Sequence, residues 1–128
     1  MIFLDTSAIY ALAARSDQNH SAARRKFAAI LTSEVPLVTH SYVLVEALAL
    51  LQYRLGLATA TRFERESREL DIEWIAPATH AEAARRWSLG TRNVSFVDEV
   101  SFLVMQLRGM RTAFAFDEDF EDAGFDLY

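Results

Sequence analysis

Apolar and polar positions change period repeatedly along the chain, and each change marks an element. "MIFL" is a continuous apolar run that predicts a short strand buried on both faces, and "TSAIYALAAR" after it spaces its apolar residues as a helix does. "SDQNHSAARRKFAAIL" predicts a second helix, capped by Ser16 or Asp17, with Ala22, Ala23, Phe27, Ile30 and Leu31 on its apolar side. "VPLVTH" predicts a strand with proline at its start, "SYVLVEALALLQYRLG" a long apolar helix closed by Gly56, and "ATATRFERESREL" an amphipathic one. "DIEWIAP" predicts a third strand, and "THAEAARRWSLG" a helix opened by a capping box, Thr79 with Glu82, and ended by Gly90. "SFVDEVSFLVMQLRG" reads as another buried helix, "RTAFAF" as a strand, "DEDFEDAG" as a turn or short helix, and "FDLY" as a closing strand. Short strands alternating with helices predict parallel βαβ units, hence an α/β fold: a three-layer α/β/α sandwich around a central, mainly parallel sheet. No repeat, low-complexity tract or Pro/Gly linker divides the chain, so a single domain over residues 1–128 is expected.

Composition narrows the function classes. At 52% hydrophobic the chain can bury a real core. Its net charge of -5 supplies no overall basic field, so an anionic partner has to be held locally. With no cysteine there is no disulfide, thiolate metal site or thiol nucleophile. No basic residue precedes the first apolar run and Asp5 interrupts it, so no signal peptide is expected. The longest apolar stretches, 42–51 and 100–107, fall short of the roughly 18 to 20 residues that span a bilayer. A soluble, cytoplasmic protein with no membrane partner is the expectation.

The candidate chemistry lies in four acids. In open parallel sheets ligands collect beyond the carboxyl ends of the strands, which is where Asp5 follows "IFL" and Asp117 follows "AFAF". Glu46 is the only charge between Ser41 and Tyr53, and Asp98 stands near the start of an equally apolar helix. A carboxylate in apolar surroundings has to be protonated, hydrogen-bonded or neutralised by a cation. Each acid also has a plainer reading. Asp5 and Asp117 can cap the segments that follow them, Asp98 stands three residues after Ser95 as in a capping box, and Glu46 can snorkel or pair. Four carboxylates from four segments at one edge would repel one another unless a cation lay among them. Oxygen ligands without cysteine or a histidine pair suit Mg²⁺ or Mn²⁺, and such ions serve phosphodiester hydrolysis.

The segments "FLDTSAI", "LVEALALL", "SFVDEVSF" and "FAFDEDF", with "DQNHSAA" as a second helix, resemble the PIN domain, specifically VapC-type toxins of toxin–antitoxin pairs. The resemblance runs from Ile2 to the C-terminus and implies an Mg²⁺- or Mn²⁺-dependent endoribonuclease. Its acidic, metal-holding core would be Asp5, Glu46, Asp98 and Asp117, with Thr6 or Ser7 and Asp119 as auxiliaries. It further implies an RNA substrate, a cognate antitoxin and a homodimer formed through the Leu- and Ala-rich helices around 42–55 and 57–70. One departure is Ala115, where the family often carries Thr or Ser two residues before the last acid. Two competing classes are a PIN-like RNA-binding or assembly module without turnover, and a phospho-receiver domain. The receiver needs a lysine beside its acids, whereas Lys26, the only lysine, lies in an early helix.

The remaining charges and aromatics give weaker signals. Arg24, Arg25 and Lys26 form one basic cluster and Arg85 with Arg86 another, both readable as solvated faces; Arg92, in "GTRNVS" leading into Asp98, is the best RNA-backbone candidate. Arg62, Arg65 and Arg68 alternate with Glu64, Glu66 and Glu69 as a self-paired surface. His20, His40 and His80 stand at helix starts with structural or capping roles expected, and Trp74 and Trp87 are expected as core or interface anchors. Asp119 on its own reads as a solvated turn residue, and Glu99, Glu118, Glu121 and Asp122 as surface acids. No P-loop, GxGxxG turn or serine hydrolase elbow is present.

Overall fold

The computed structural model describes every residue from Met1 to Tyr128. Five strands, β1 (Ile2–Leu4), β2 (Leu37–His40), β3 (Asp71–Glu73), β4 (Thr112–Phe114) and β5 (Asp126–Leu127), form one sheet in the order β3-β2-β1-β4-β5. Every pairing is parallel, with Leu4 opposite Phe114 and Phe3 opposite Val38. Seven helices connect and flank the strands: α1 (Thr6–Ala13), α2 (His20–Ser33), α3 (Ser41–Leu55), α4 (Leu57–Glu66), α5 (Pro77–Leu89), α6 (Phe96–Leu107) and α7 (Asp119–Asp122). A 3-10 turn at Ser67–Glu69 leads into β3. The expected α/β/α sandwich is therefore present, with a sheet that is wholly parallel.

Sheets of this kind are covered on both faces, which is why "IFL" and "LVTH" are buried at every position. Phe3, Val38, Leu51, Met105, Phe114 and Phe120 fill the main core, and Ala83, Val100, Leu103 and Val104 form a smaller one between α5 and α6. Chain order places the site: after β1 the connections build outward through β2 to β3, then cross back to β4 on the other side. The crevice beyond the carboxyl ends of β1 and β4 is thus a topological switch point, where open α/β sheets bind ligands.

Two helix starts differ from the sequence expectation. α2 begins at His20 after Asn19, and Asp17 accepts from the Asn19 amide at 2.9 Å, so "SDQN" closes a turn before the helix instead of capping it. α5 begins at Pro77, whose fixed φ suits a first helical position; Thr79 and Glu82 consequently lie inside the helix and form no capping box. Gly56, at φ +96°, takes the chain from α3 directly into α4 through a backbone region that L residues rarely enter.

Candidate active site

The ends of β1 and β4 are laced together by backbone and one hydroxyl. Asp5 continues the ladder, its amide donating to the Phe114 carbonyl at 3.1 Å, and then caps α1. Its Oδ2 accepts from the Ser7 amide at 3.0 Å and from the Ser7 hydroxyl at 2.5 Å. The same hydroxyl accepts from the Phe116 amide at 2.9 Å, so Ser7 couples the Asp5 carboxylate to the backbone just before Asp117. Ala115 itself is buried and carries no hydroxyl, but the Ser7 hydroxyl binds the strand end one residue further on. Thr6, also buried, has the one buried side-chain polar atom without a hydrogen-bond partner, Oγ1.

Asp117 lies half-buried past β4, and its Oδ1 accepts from the Asp119 amide at 2.9 Å, the turn that starts α7. Asp98 sits in the first turn of α6, only 8% exposed, its amide bonded to the Ser95 cap at 3.0 Å. Oxygens of Asp98, Asp117 and Asp119 lie within 4.8 Å of one another. Burial, followed by the negative charges of Asp5, Asp117, Glu46 and Asp119, pushes the Asp98 carboxyl up to about 7. Burial also raises Asp5, against the opposing Ser7 hydrogen bonds and with the charge of Asp117 adding to the rise. None of these five acids makes a salt bridge with lysine, arginine or histidine.

The structure thus draws the four acids of the sequence analysis into one electrostatic neighbourhood, with one correction. Glu46 is exposed, because α3 leaves Val45 and Glu46 on its outer side; the apolar sequence around it is only half used for the core. Asp119, an auxiliary by the family resemblance although on its own it read as a solvated turn residue, is a member of the tightest carboxylate group. The signal for it was the Asp-x-Asp spacing, since an aspartate commonly bonds the amide two residues on and thereby fixes the second side chain nearby.

His40, expected in a structural or capping role, is the N-cap of α3 and ties it to α6. Its Nδ1 accepts from the amides of Tyr42 and Val43 at 3.2 and 3.3 Å, capping α3. That leaves the ring proton on Nε2, which donates to the Ser101 hydroxyl at 2.8 Å, and Ser101 donates on to the Val97 carbonyl at 3.0 Å. Burial pushes His40 down to about 3, so the ring is neutral and joins the helix of Glu46 to the helix of Asp98. His20 binds the Ala11 carbonyl at 2.8 Å, and His80 pairs with the Tyr42 hydroxyl at 2.6 Å.

Most of the basic residues are engaged away from the acids. Arg85 and Arg86 both bind Glu82, at 2.7 and 3.0 Å, and Arg62 with Glu66 and Arg68 with Glu64 pair along α4 and its following turn as expected. Lys26 donates to the Tyr128 carbonyl at 2.6 Å and lies 5.2 Å from the Phe116 ring centre, which leaves no receiver-type lysine beside the carboxylates. Arg92 is exposed in the loop before α6. Trp74 and Trp87 are 69% and 50% exposed, so neither is a core anchor. A larger cavity of about 710 Å³ lies elsewhere, lined by residues of α1, α2 and α4 including Leu12, Phe27, Leu31 and Phe63, with Arg15, Arg24 and Arg62 among its polar residues.

A parallel α/β sandwich with carboxylates gathered at its switch point is the architecture of the PIN domain, and the chain matches that family over residues 2–126: it belongs to the PIN-domain family. It is 40% identical over 130 residues to the 23S rRNA-specific endonuclease VapC20 of two Mycobacterium tuberculosis strains, covering 98% of this chain and 95% of the relative. The crystal structure of Mycobacterium tuberculosis VapC20, described as a sarcin–ricin loop cleaving toxin, superposes with a TM-score of 0.86 at 34% identity, covering 98% of this chain and 96% of that one. FitAcB from Neisseria gonorrhoeae shares the fold, with a TM-score of 0.67 at 13% identity over 100% of this chain and 96% of that one. No helix is long and apolar enough to cross a membrane.

Proposed function

We propose that the protein is a metal-dependent endoribonuclease, the toxin of a VapBC-type pair, hydrolysing RNA phosphodiester bonds. The observation that carries this reading is the group of three carboxylates whose oxygens lie within 4.8 Å, with Asp5 and Glu46 adding their charge and no side-chain cation bound to any of them. Such a pocket fits a hard divalent ion such as Mg²⁺ or Mn²⁺, since all its donors are oxygens and their mutual repulsion falls when a cation enters. The unpartnered Thr6 hydroxyl beside Asp5 is consistent with a polar ligand at this point. Asp98, Asp117 and Asp119 would hold the ion with Asp5, and Glu46 would contribute from the exposed rim. When bound, the ion supplies Lewis acidity, activating water and neutralising charge on the phosphate oxygens.

The chain's own residues set the geometry. Ser7 fixes the Asp5 carboxylate against the end of β4, the Ser95 cap fixes the first turn of α6, and the Asp117 turn fixes Asp119. Arg92 would meet the RNA backbone beside the acids. Following the relative's named activity, a loop of large-subunit ribosomal RNA in the cytoplasm is the proposed substrate. The antitoxin would dock an apolar, acidic segment into the 710 Å³ cavity, matching Phe27, Leu31 and Phe63 with its apolar side chains and the arginines with its acids. The exposed Val45, Tyr53 and Leu57 on α3 and α4 support a homodimer through those helices. The alternative of a module without turnover has no observation in its favour, since every acid is in place.

Purified protein incubated with ribosomal RNA, with Mg²⁺ or Mn²⁺ and with EDTA, followed by mapping of the cut ends, tests the reading. Discrete cleavage that EDTA abolishes and that Asp5→Asn, Asp98→Asn and Asp117→Asn each lose is the expected result. Cleavage indifferent to EDTA, or retained in those variants, would overturn it.

A further inference from the structure

A second and smaller cavity of about 220 Å³ is lined by Trp87, Gly90, Thr91, Arg92, Val94 and Glu99, the last of which follows Asp98 on α6. We propose that this cavity is a nucleobase subsite that receives a base of the bound RNA and selects guanine. The inference rests on the nuclease reading for its location, since Glu99 follows Asp98 directly on α6, but its chemistry comes from the cavity itself.

The walls of the cavity are held by hydrogen bonds and ring packing. Trp87, in the last turn of α5, donates from Nε1 to the Val94 carbonyl at 3.1 Å, and its ring meets Phe96 with centres 5.6 Å apart. The loop is further closed by the Val94 amide on the Arg92 carbonyl at 2.9 Å, and Ser95 then caps α6. The indole is therefore held at one wall while half of it remains open to solvent. A rigid, half-exposed aromatic face is what an unstacked base packs on.

The charges complete the match. Arg92 and Glu99 border the same cavity, yet neither makes a salt bridge, with each other or with any other residue, whereas Arg85 and Arg86 on the neighbouring helix are both satisfied. An arginine there offers a planar donor fork to phosphate, and an ionised carboxylate is an acceptor only. Among the bases, guanine alone presents two adjacent N–H donors, N1–H and N2–H, on the edge that such a carboxylate can bind with both oxygens. Glu99 is thus the specificity element, Trp87 the stacking surface and Arg92 the phosphate contact. Sequence reading left Glu99 as a surface acid and Trp87 as an anchor; the fold brings them to one cavity.

The test uses the full chain carrying Trp74→Phe, which leaves Trp87 as the only indole and alters an exposed position. In EDTA, so that no turnover occurs, the pentaribonucleotides UUGUU, UUAUU, UUCUU and UUUUU are titrated while Trp87 fluorescence is read. Saturable quenching is expected, with UUGUU binding about tenfold or more tighter than UUUUU. Glu99→Gln should bring the four within about threefold, and Arg92→Ala should weaken all four alike. Equal affinity for all four, absence of quenching, or a guanine preference that survives Glu99→Gln would overturn the proposal. Because the readout needs no cleavage, it is separable from the nuclease test: metal-dependent cutting without base-selective quenching would remove the subsite and leave the nuclease, and the converse would do the reverse.

Discussion

Replacing Asp98 by asparagine should stabilise the metal-free protein, although it removes a native, buried side chain's charge. In the folded state the Asp98 carboxyl is raised from 3.8 to about 7, chiefly by burial and then by four negative neighbours. Between these values the folded protein keeps a proton that the unfolded chain has lost, so stability falls as pH rises from about 4 to about 7 and is flat above. At about 1.4 kcal/mol per tenfold change in the proton equilibrium, the full shift corresponds to roughly 4 kcal/mol. Partial solvent access at the crevice screens the charges and reduces this by about half. A negative charge in the first turn of α6 is favoured by the helix dipole by roughly 0.3–1 kcal/mol, and asparagine gives that up. The crowding term remains the larger, which leaves a net gain of about 1–2 kcal/mol, or roughly 5 °C in Tm for a chain of this size. Thermal unfolding of wild type and Asp98→Asn in EDTA should show that gain at pH 8 and less than half of it at pH 5. Excess Mg²⁺ should reverse the order, since an ion at a hundredfold its Kd adds about 2.7 kcal/mol to the protein that binds it. A variant less stable than wild type in EDTA at pH 8, a gain independent of pH, or equal Mg²⁺ stabilisation of both proteins would refute the reasoning.

Other perturbations probe the supports of the site. Ser7→Ala removes the hydroxyl shared by Asp5 and Phe116 while leaving the cap acceptor in place, so RNA cleavage measured at saturating Mg²⁺ should fall by about 10- to 100-fold with a Tm loss of only a few degrees. His40→Ala removes a fully buried ring together with the α3 cap and the link to Ser101, and chemical denaturation should report a loss of about 2–4 kcal/mol; His40→Asn, which can still cap, should recover about 1 kcal/mol of it. Arg92→Ala should lower the salt dependence of RNA binding by about one ion, whereas Arg85→Ala, already bound to Glu82, should leave it unchanged in the same filter-binding series.

How much of this was legible in the sequence depends on how local each signal is. The strands announced themselves because a sheet covered on both faces needs unbroken apolar runs, and "IFL" and "LVTH" are buried throughout. Asp5 and Asp117 could be placed because a residue just past a parallel strand has one place to go. Helix starts were read less well where two cap chemistries competed: Pro77 displaced Thr79, and Asp17 closed a turn ahead of α2. Burial of Glu46 was inferred from its apolar neighbours, but a helix so rich in Leu, Val and Ala has more apolar residues than its packed side requires. Glu99 was read as a surface acid for a different reason. It comes to border one cavity with Trp87 and Arg92 only when the loop before α6 folds against the end of α5, and no period in the sequence encodes that approach.

The same distinction explains how a chain of net charge -5 can act on a polyanion. Asp5 as the cap of α1 and Asp98 in the first turn of α6 would by themselves be a stabilising use of acids, yet the structure brings their charges close enough that burial and mutual repulsion raise both. That cost is avoidable by a single neutral substitution, so its presence is an argument for function over stability. A divalent ion held there would turn the most repulsive point of the surface into a place where phosphate is attracted, while most of the arginines on α4 and α5 are already satisfied by glutamates. Phosphate attraction would then be strengthened at the crevice, beside the unpaired Arg92, by the same ion that would supply the chemistry.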